Sequence, residues 1–520
     1  MKNSALSRSF RSNRTVLIAA IFSATTCVDA AEAFPRPLFP DVKPVCSCEE
    51  LARVSLPHTT IDSAKLDSNG WCRVTASVTH PPTGDRVRLF IGLPITNWNG
   101  RFQGNGGGGF SGGSAGSLRG PVAQGFAAAA TDTGHEGGSG SFALDESGRL
   151  NWQRIVDNAY LGIHDMTVVS KAIMQAYYGK APRFSYFVGG STGGRQGLME
   201  AQRYPDDYDG IISACPAINF HRFVPASLWP QVVMHAMTNL VSKAKLDAAT
   251  AAAVKDCDAA DGVTDGVIDD PLRCGYDPTA LVGTRVGGET FTDADAEVVR
   301  KIWEGPRGVN RTFMWHGLER GADVFAYAAT GGSPLRGRPF SISMDYFKYF
   351  LVQDSKWDWT TMTPARFEQL WQQSVEEFGA VFGTDDPDLT RFRDHGGKVI
   401  ILHGRADQLI PAQGTIDYYR RVQQRMGGAE KTEQFARLFL APGVDHGFRG
   451  AGPTPVGQME AIVRWVEEGQ APDMLMAERR DSSRKVIQTR PLFPYPKVAR
   501  YKGTGSTDAA ASFVAHTLTE

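Results

Sequence analysis

Gly189-Gly190-Ser191-Thr192-Gly193 lies between a short apolar run, Phe184 to Val188, and a segment of helical character from Gly194 to Arg203. That order of strand, G-x-S-x-G and helix constrains the fold more than any other feature of the chain. A serine at the centre of such a turn takes strained backbone, and small residues two before and two after it let strand and helix close together. The turn exposes the hydroxyl and aims the N–H of Thr192 at charge developing on a carbonyl oxygen. A phosphate-binding turn is the competing use of glycine here, but no lysine follows as a P-loop requires.

The surroundings repeat the theme. Val87 to Pro94 alternates as a strand does, and Gly125 to Ala130 reads as a buried strand. Ile155, Ala159, Ile163, Met166, Val169 and Ile173 recur at helical spacing within Ile155 to Tyr178. Strand-like runs return at Lys398 to His403 and Arg437 to Ala441. Strands alternating with helices predict a mostly parallel sheet with crossover helices, an α/β fold. Between about residues 216 and 392 the alternation is lost, which reads as an insertion between two halves of one core.

A serine nucleophile on such a sheet is followed by its acid and then its base. Asp407 comes just after the apolar run Val399-Ile400-Ile401-Leu402, and His446 lies in the loop after Leu438-Phe439-Leu440-Ala441. His446 is placed to take the Ser191 proton, with Asp407 fixing its tautomer. Asp445, adjacent to the histidine, cannot easily curl back to orient it. Upstream, Asn105-Gly106-Gly107-Gly108-Gly109 follows an earlier strand, where bare backbone N–H groups can complete an oxyanion hole with Thr192.

Composition removes other classes. The chain has 520 residues with a formal net charge of −1 and no basic block, against a nucleic-acid partner. No apolar run reaches the roughly 18 residues of a membrane span. Lys2, Arg8, Arg11 and Arg14, the apolar Val16 to Ala24, and Ala31-Glu32-Ala33 predict a secretory signal peptide over residues 1–33 and a secreted or periplasmic protein. An oxidising compartment makes Cys48 with Cys72 and Cys257 with Cys274 the local pairing candidates, leaving Cys46 and Cys215 over. Sequence alone leaves that connectivity open.

Together with Trp98-Asn99-Gly100-Arg101-Phe102, Ala130 to His135, Tyr186 to Gly194, Phe439 to His446 and Thr489-Arg490-Pro491 through Ala499 to Gly503, these motifs make the chain resemble the tannase/feruloyl esterase family. That family also includes the mono(hydroxyethyl) terephthalate hydrolases. The resemblance implies an α/β-hydrolase core in two parts, 34–215 and 393–520, split by a lid at 216–392. It implies a serine esterase acting on esters of aromatic carboxylic acids, feruloyl or galloyl, whether free or attached to plant polysaccharide or polyphenol. By position it carries over Ser191, Asp407 and His446 as the triad, with Gly109 and Thr192 as oxyanion donors. Terephthalate-type half-esters are the alternative substrates, and a catalytically silent binding protein the alternative class.

The acidic stretch Asp258 to Val267 is not an EF-hand, and by spacing alone a solvated turn is as good a reading as a cation site. The resemblance implies structural Ca²⁺ on Asp258, Asp261, Asp265 and the carbonyls of Val263 and Val267, in a loop closed by Cys257 and Cys274. No organic cofactor is implied. The chain departs from the family at a disulfide that clamps the triad: its two cysteines are replaced here by Gly190 and Gly447. Aromatic residues concentrate between Trp303 and Trp371, where they suit either a flat acyl group or the lid's own core.

Overall fold

The computed structural model describes residues 36–517, so the signal-peptide reading over 1–33 lies outside the described residues. Nine strands form the central sheet: β1 (Thr59–Leu66), β2 (Trp71–Val78), β3 (Val87–Pro94), β4 (Arg101–Asn105), β5 (Ala127–Thr131), β6 (Phe184–Gly190), β7 (Gly210–Ala214), β8 (Lys398–Gly404) and β9 (Ala436–Ala441). Their order is β1-β2-β3-β5-β4-β6-β7-β8-β9. From β5 to β9 every neighbouring pair is parallel, whereas β1, β2, β3 and β5 pair antiparallel. The fold is of the α/β-hydrolase type, with an antiparallel edge on the parallel sheet.

The parallel strands read as continuous apolar runs because both faces are covered. Ile211, Val399 and Ile401 enter one core cluster, while Ile212, Ile400 and Leu402 enter another. That alternation assigns the two clusters to opposite sides of the sheet. The first cluster packs beneath α1 (Gly162–Tyr178), which presents Ile163, Met166, Val169 and Ile173 and ends at Gly179 with φ 66°.

The long helix expected from Ile155 is broken into pieces. A first helix, Trp152–Val156, widens into a π-turn over Asp157–Leu161 before α1 continues. After β6 the chain enters α2 (Thr192–Arg203), two residues earlier than the glycines suggest.

Between β7 and β8 the inserted segment has one apolar cluster of its own and shares a second with Phe110, Phe142, Ile155 and Ala159 of the core. Its longest helix, Pro364–Phe382, is capped by Thr363, whose side chain accepts from the Arg366 N–H. Tyr346, Phe347, Phe350, Phe367 and Phe378 are all 0% exposed and pack in the shared cluster, Phe350 against Phe110 and Phe142, so these aromatics are buried packing and not a substrate wall. Two disulfides join Cys48 to Cys72 and Cys257 to Cys274, with Cys46 and Cys215 free. Among the described residues no helix is long and apolar enough to cross a membrane.

Candidate active site

The turn after β6 holds Ser191 at φ 59°, ψ −123°, a region a non-glycine residue enters only when its surroundings force it. Those surroundings are visible. Its N–H donates to the Ala214 carbonyl at 2.9 Å, and its carbonyl accepts from Arg195 and Ala217, each at 3.0 Å. A Cβ on Gly189 would collide with the Gly193 backbone, and one on Gly106 would collide with Gly193 Cα. Those glycines let the loop after β4 nest against the serine turn.

Three bonds lock the two loops. The Gly193 N–H donates to the Gly107 carbonyl at 3.0 Å, the Gly107 N–H to Gln196 Oε1 at 2.9 Å, and Thr192 Oγ1 to the Gly109 carbonyl at 2.6 Å. Gly109 itself sits at φ +60°, with Ile342 of the insertion covering the place of its missing Cβ. The N–H groups of Gly109 and Thr192 donate to no acceptor among the described residues.

Asp407 and His446 meet as their positions suggested. His446 Nδ1 lies 2.9 Å from Asp407 Oδ2 and 3.1 Å from Oδ1. The N–H groups of Leu409 and Ile410 both donate to Asp407 Oδ1 at 2.8 Å. A second imidazole, not anticipated from sequence, stands behind the carboxylate: His403 Nε2 is 3.2 Å from Asp407 Oδ2. Its Nδ1 lies 2.9 Å from Thr415 Oγ1, and its Nε2 also lies 3.1 Å from the Ile410 carbonyl. With Thr415 donating to Nδ1, His403 carries its proton on Nε2 and donates to Asp407. Burial alone would raise the Asp407 pKa, but the hydrogen bonds from His403 and His446 overcome it and hold the carboxyl well below its ordinary value.

Cys215, left unassigned by the sequence, follows β7 and lies 3% exposed against His446. Its thiol faces the His446 carbonyl at 3.9 Å and also contacts the imidazole. No hydrogen bond joins the Ser191 hydroxyl to His446; such contacts commonly tighten only when substrate is present. Burial disfavours the imidazolium, but the Asp407 carboxylate and Cys215 outweigh it and push His446 up to about 10. Cys215 meets His446 across 231 residues of sequence, which no local pattern signals, whereas the signal for His403 was its place at the end of an apolar strand four residues before Asp407.

Asp445 takes no part in the dyad; its Oδ1 accepts from the Arg449 N–H at 2.8 Å. Gly190 precedes Ser191 and lies beside Cys215, and Gly447 directly follows His446. A Cβ on Gly190 would stand 3.9 Å from the Cys215 sulfur, and on Gly447 3.3 Å from Asp445 Oδ1.

The acidic loop wraps around its own first carboxylate. Asp258 accepts from the N–H groups of Asp265 and Gly266 at 3.0 Å and of Val267 at 3.4 Å, and Asp261 Oδ1 accepts from Val263 at 2.9 Å. Arg490 pairs with Asp265 at 2.7 Å. Desolvation and the neighbouring Asp261 and Asp265 charges drive the Asp269 carboxyl well above the carboxylate range. An all-oxygen donor set with surplus negative charge suits a hard cation such as Ca²⁺.

Comparison with known proteins gives a consistent picture. The sequence pattern described as "Tannase and feruloyl esterase" matches residues 72–516. A "Probable feruloyl esterase" of Arthroderma benhamiae is 40% identical over 474 residues, covering 88% of this chain and 86% of the relative. "Feruloyl esterase B" of Aspergillus niger is 30% identical, covering 84% of each chain. The crystal structure of feruloyl esterase B from Aspergillus oryzae superposes with a TM-score of 0.80 at 26% identity, over 90% of this chain and 99% of that one. Tannin acyl hydrolase from Aspergillus niger shares the fold, with a TM-score of 0.81 at 24% identity over 91% of this chain and 95% of that one.

Proposed function

The chain belongs to the tannase and feruloyl esterase family and is a carboxylic ester hydrolase, and from that premise we propose that it is an exported serine esterase acting on esters of aromatic carboxylic acids. The observation that carries the mechanism is the Asp407–His446 pair, 2.9 Å apart, beside the strained Ser191 turn. Ser191 Oγ attacks the ester carbonyl carbon while His446 takes the hydroxyl proton and Asp407 supports the imidazolium that forms. The N–H groups of Gly109 and Thr192 receive the oxyanion, each worth about 3–4 kcal/mol in such a site. His446 then returns the proton to the departing alcohol, and water, activated the same way, cleaves the acyl-enzyme.

His403 positions Asp407 from behind. Cys215 is closed to substrate at 3% exposure, whereas Ser191 is half-buried and open, which favours the hydroxyl over the thiol as nucleophile. The insertion at 216–392 serves as a lid: Ile342 reaches Gly109, and Asp345 Oδ2 accepts from Ser139 Oγ and from the Gly140 N–H at 2.9 and 2.8 Å. Asp258, Asp261, Asp265 and the carbonyls of Val263 and Val267 would hold Ca²⁺, which would cross-link the loop and offset its carboxylates. Feruloyl and galloyl esters, whose hydrolysis gives the relatives their names, are the proposed substrates.

The test is release of phenol from an activated aryl ester. A burst equal to enzyme concentration, abolished in Ser191→Ala and kept in Cys215→Ala, is expected. Loss of the burst in Cys215→Ala alone would overturn the serine assignment, and no burst in the parent would favour a binding protein. Relative kcat/KM on methyl ferulate, methyl gallate and a terephthalate monoester then sorts the substrate class.

A further inference from the structure

A second cluster of metal-ligating side chains lies away from the serine turn, where the loop between β2 and β3 meets the π-turn. His80 Nδ1 is 2.6 Å from Asp85 Oδ2 and 3.6 Å from Asp157 Oδ1, and His80 Nε2 is 3.1 Å from Asp165 Oδ2. One ligand atom from each of His80, Asp85 and Asp157 falls within 4.8 Å of the other two. Asp157 is 0% exposed, and its Oδ2 has no hydrogen-bond partner. Three carboxylates thus surround one imidazole, and one buried oxygen of Asp157 is unsatisfied.

The rest of the cluster is arranged as an outer shell. Asp85 Oδ1 already accepts from the His80 N–H at 2.9 Å and Thr83 Oγ1 at 2.6 Å, which leaves Oδ2. Asp157 Oδ1 accepts from Gln153 Nε2 at 2.8 Å, which leaves Oδ2. His80 Nδ1 shares a proton with Asp85 Oδ2 at 2.6 Å; a metal that displaces it would meet the Nδ1 lone pair, with Asp165 Oδ2, 3.1 Å from Nε2, as the carboxylate that orients the ring.

From this geometry we infer that His80 Nδ1, Asp85 and Asp157 bind a borderline divalent cation of the Zn²⁺ class, with Asp165 as the orienting carboxylate. Bonds of about 2.0–2.2 Å in a tetrahedral site separate ligand atoms by roughly 3.3–3.5 Å. His80 and Asp85 therefore open by less than about 1 Å, as the metal replaces the proton they share. One imidazole nitrogen with two carboxylate oxygens suits Zn²⁺ over Mg²⁺, which prefers oxygen alone and keeps its waters. The partly exposed His80 face leaves a fourth position open to water.

The ion would tie the β2–β3 loop to the turn that supports the active-site loop. Asn158, next to Asp157, donates to the Phe110 carbonyl at 2.9 Å and to Thr133 Oγ1 at 3.0 Å, and Phe110 follows Gly109. Metal binding is thus coupled to the stability of the Gly109 loop and not to the bond-breaking step.

The experiment is equilibrium dialysis of the chelator-stripped full chain against Zn²⁺ with Ca²⁺ saturating, followed by metal analysis and thermal melts. One Zn²⁺ per chain and a raised melting temperature are expected, with no such rise from Mg²⁺. His80→Ala and Asp157→Asn should each weaken Zn²⁺ binding by about 100-fold or more, and Asp165→Asn by about 10-fold. The metal-free melts of the variants show whether they fold. Co²⁺ in place of Zn²⁺ should give a visible absorption that vanishes in His80→Ala. No stoichiometric uptake would overturn the inference. So would uptake that survives His80→Ala and Asp157→Asn but is lost in Cys215→Ala, since the ion would then sit at Cys215 and His446.

Discussion

The loop carrying His446 is held lightly, and restoring a covalent clamp tests that reading. The His446 N–H donates to Gln408 Oε1 at 2.9 Å, and an isolated bridge joins Val444 to Gly450. The Ala406 N–H donates to the Val444 carbonyl at 3.0 Å, the Asp445 N–H to the Arg449 carbonyl at 2.8 Å, and His446 Nδ1 meets Asp407, but among the described residues no covalent link ties the loop to the sheet. Gly190 and Gly447 lie outside the positive-φ region, so cysteines are compatible with the backbone at both positions. Gly190 has room for a Cβ, at Gly447 the Asp445 carboxylate 3.3 Å away must give by a few tenths of an ångström, and the Cys215 sulfur lies within 3.9 Å of both the Gly190 Cβ position and the His446 carbonyl. Closing a loop of roughly 257 residues removes about 5–6 kcal/mol of chain entropy from the unfolded state, and engineered bridges deliver about 2–4 kcal/mol.

For about 480 ordered residues the unfolding entropy is roughly 1 kcal/mol/K, so the melting temperature should rise by about 2–5 °C. The double variant Gly190→Cys with Gly447→Cys belongs in a Cys215→Ala background, because three sulfurs in one place would mispair. Circular-dichroism melts of the oxidised protein are compared with the Cys215→Ala parent, after peptide mass analysis has established the bridge. An unchanged or lowered midpoint with the bridge formed would refute the idea that the loop is weakly held.

Three further outcomes follow from the same site. Cys215→Ala removes one of the contacts that raise the His446 pKa; since the base must be neutral to accept a proton, the acidic limb of kcat/KM against pH should move to lower pH. His403→Ala should lower kcat by about 10–100-fold with KM little changed, the equivalent of a charged hydrogen bond of roughly 1.5–3 kcal/mol, and steady-state kinetics on an aryl ester reads it. Chelation of Ca²⁺ should lower the melting temperature by several degrees, the effect being absent in Asp258→Asn.

The strained Ser191 turn and the meeting of Asp407 with His446 were legible because each residue sits at the end of an apolar strand, and strand ends are what sequence periodicity marks best. The start of α2 was read two residues late because Gly193, Gly194 and Gly197 depress helix propensity. Close approach explains them: a Cβ on Gly197 would press on Ile211 and Phe187, and one on Gly194 on the Ala214 carbonyl. Tertiary packing overrides propensity there. The antiparallel edge was missed for a different reason: pairing direction is set by connections, and β1 to β3 carry no helices between them. Cys215 and the His80 cluster are assembled by strand order and helix packing, which a one-dimensional pattern does not contain; His403 is local to Asp407 and was overlooked. The aromatic segment looked equally like a core and a wall, and only burial separates the two.

The place of the insertion also sets a timetable for the chain's own assembly. β7 leaves the ribosome about 180 residues ahead of β8, an interval of roughly 10–40 s at ordinary synthesis rates. Until β8 pairs with it, β7 is an open edge with unpaired backbone groups. The thiol just beyond that edge is enclosed only when the Cys215 N–H finds the Leu402 carbonyl at 2.6 Å. A newly made chain therefore carries its one deeply buried free cysteine beside an unfinished sheet while Cys48, Cys72, Cys257 and Cys274 are still choosing partners.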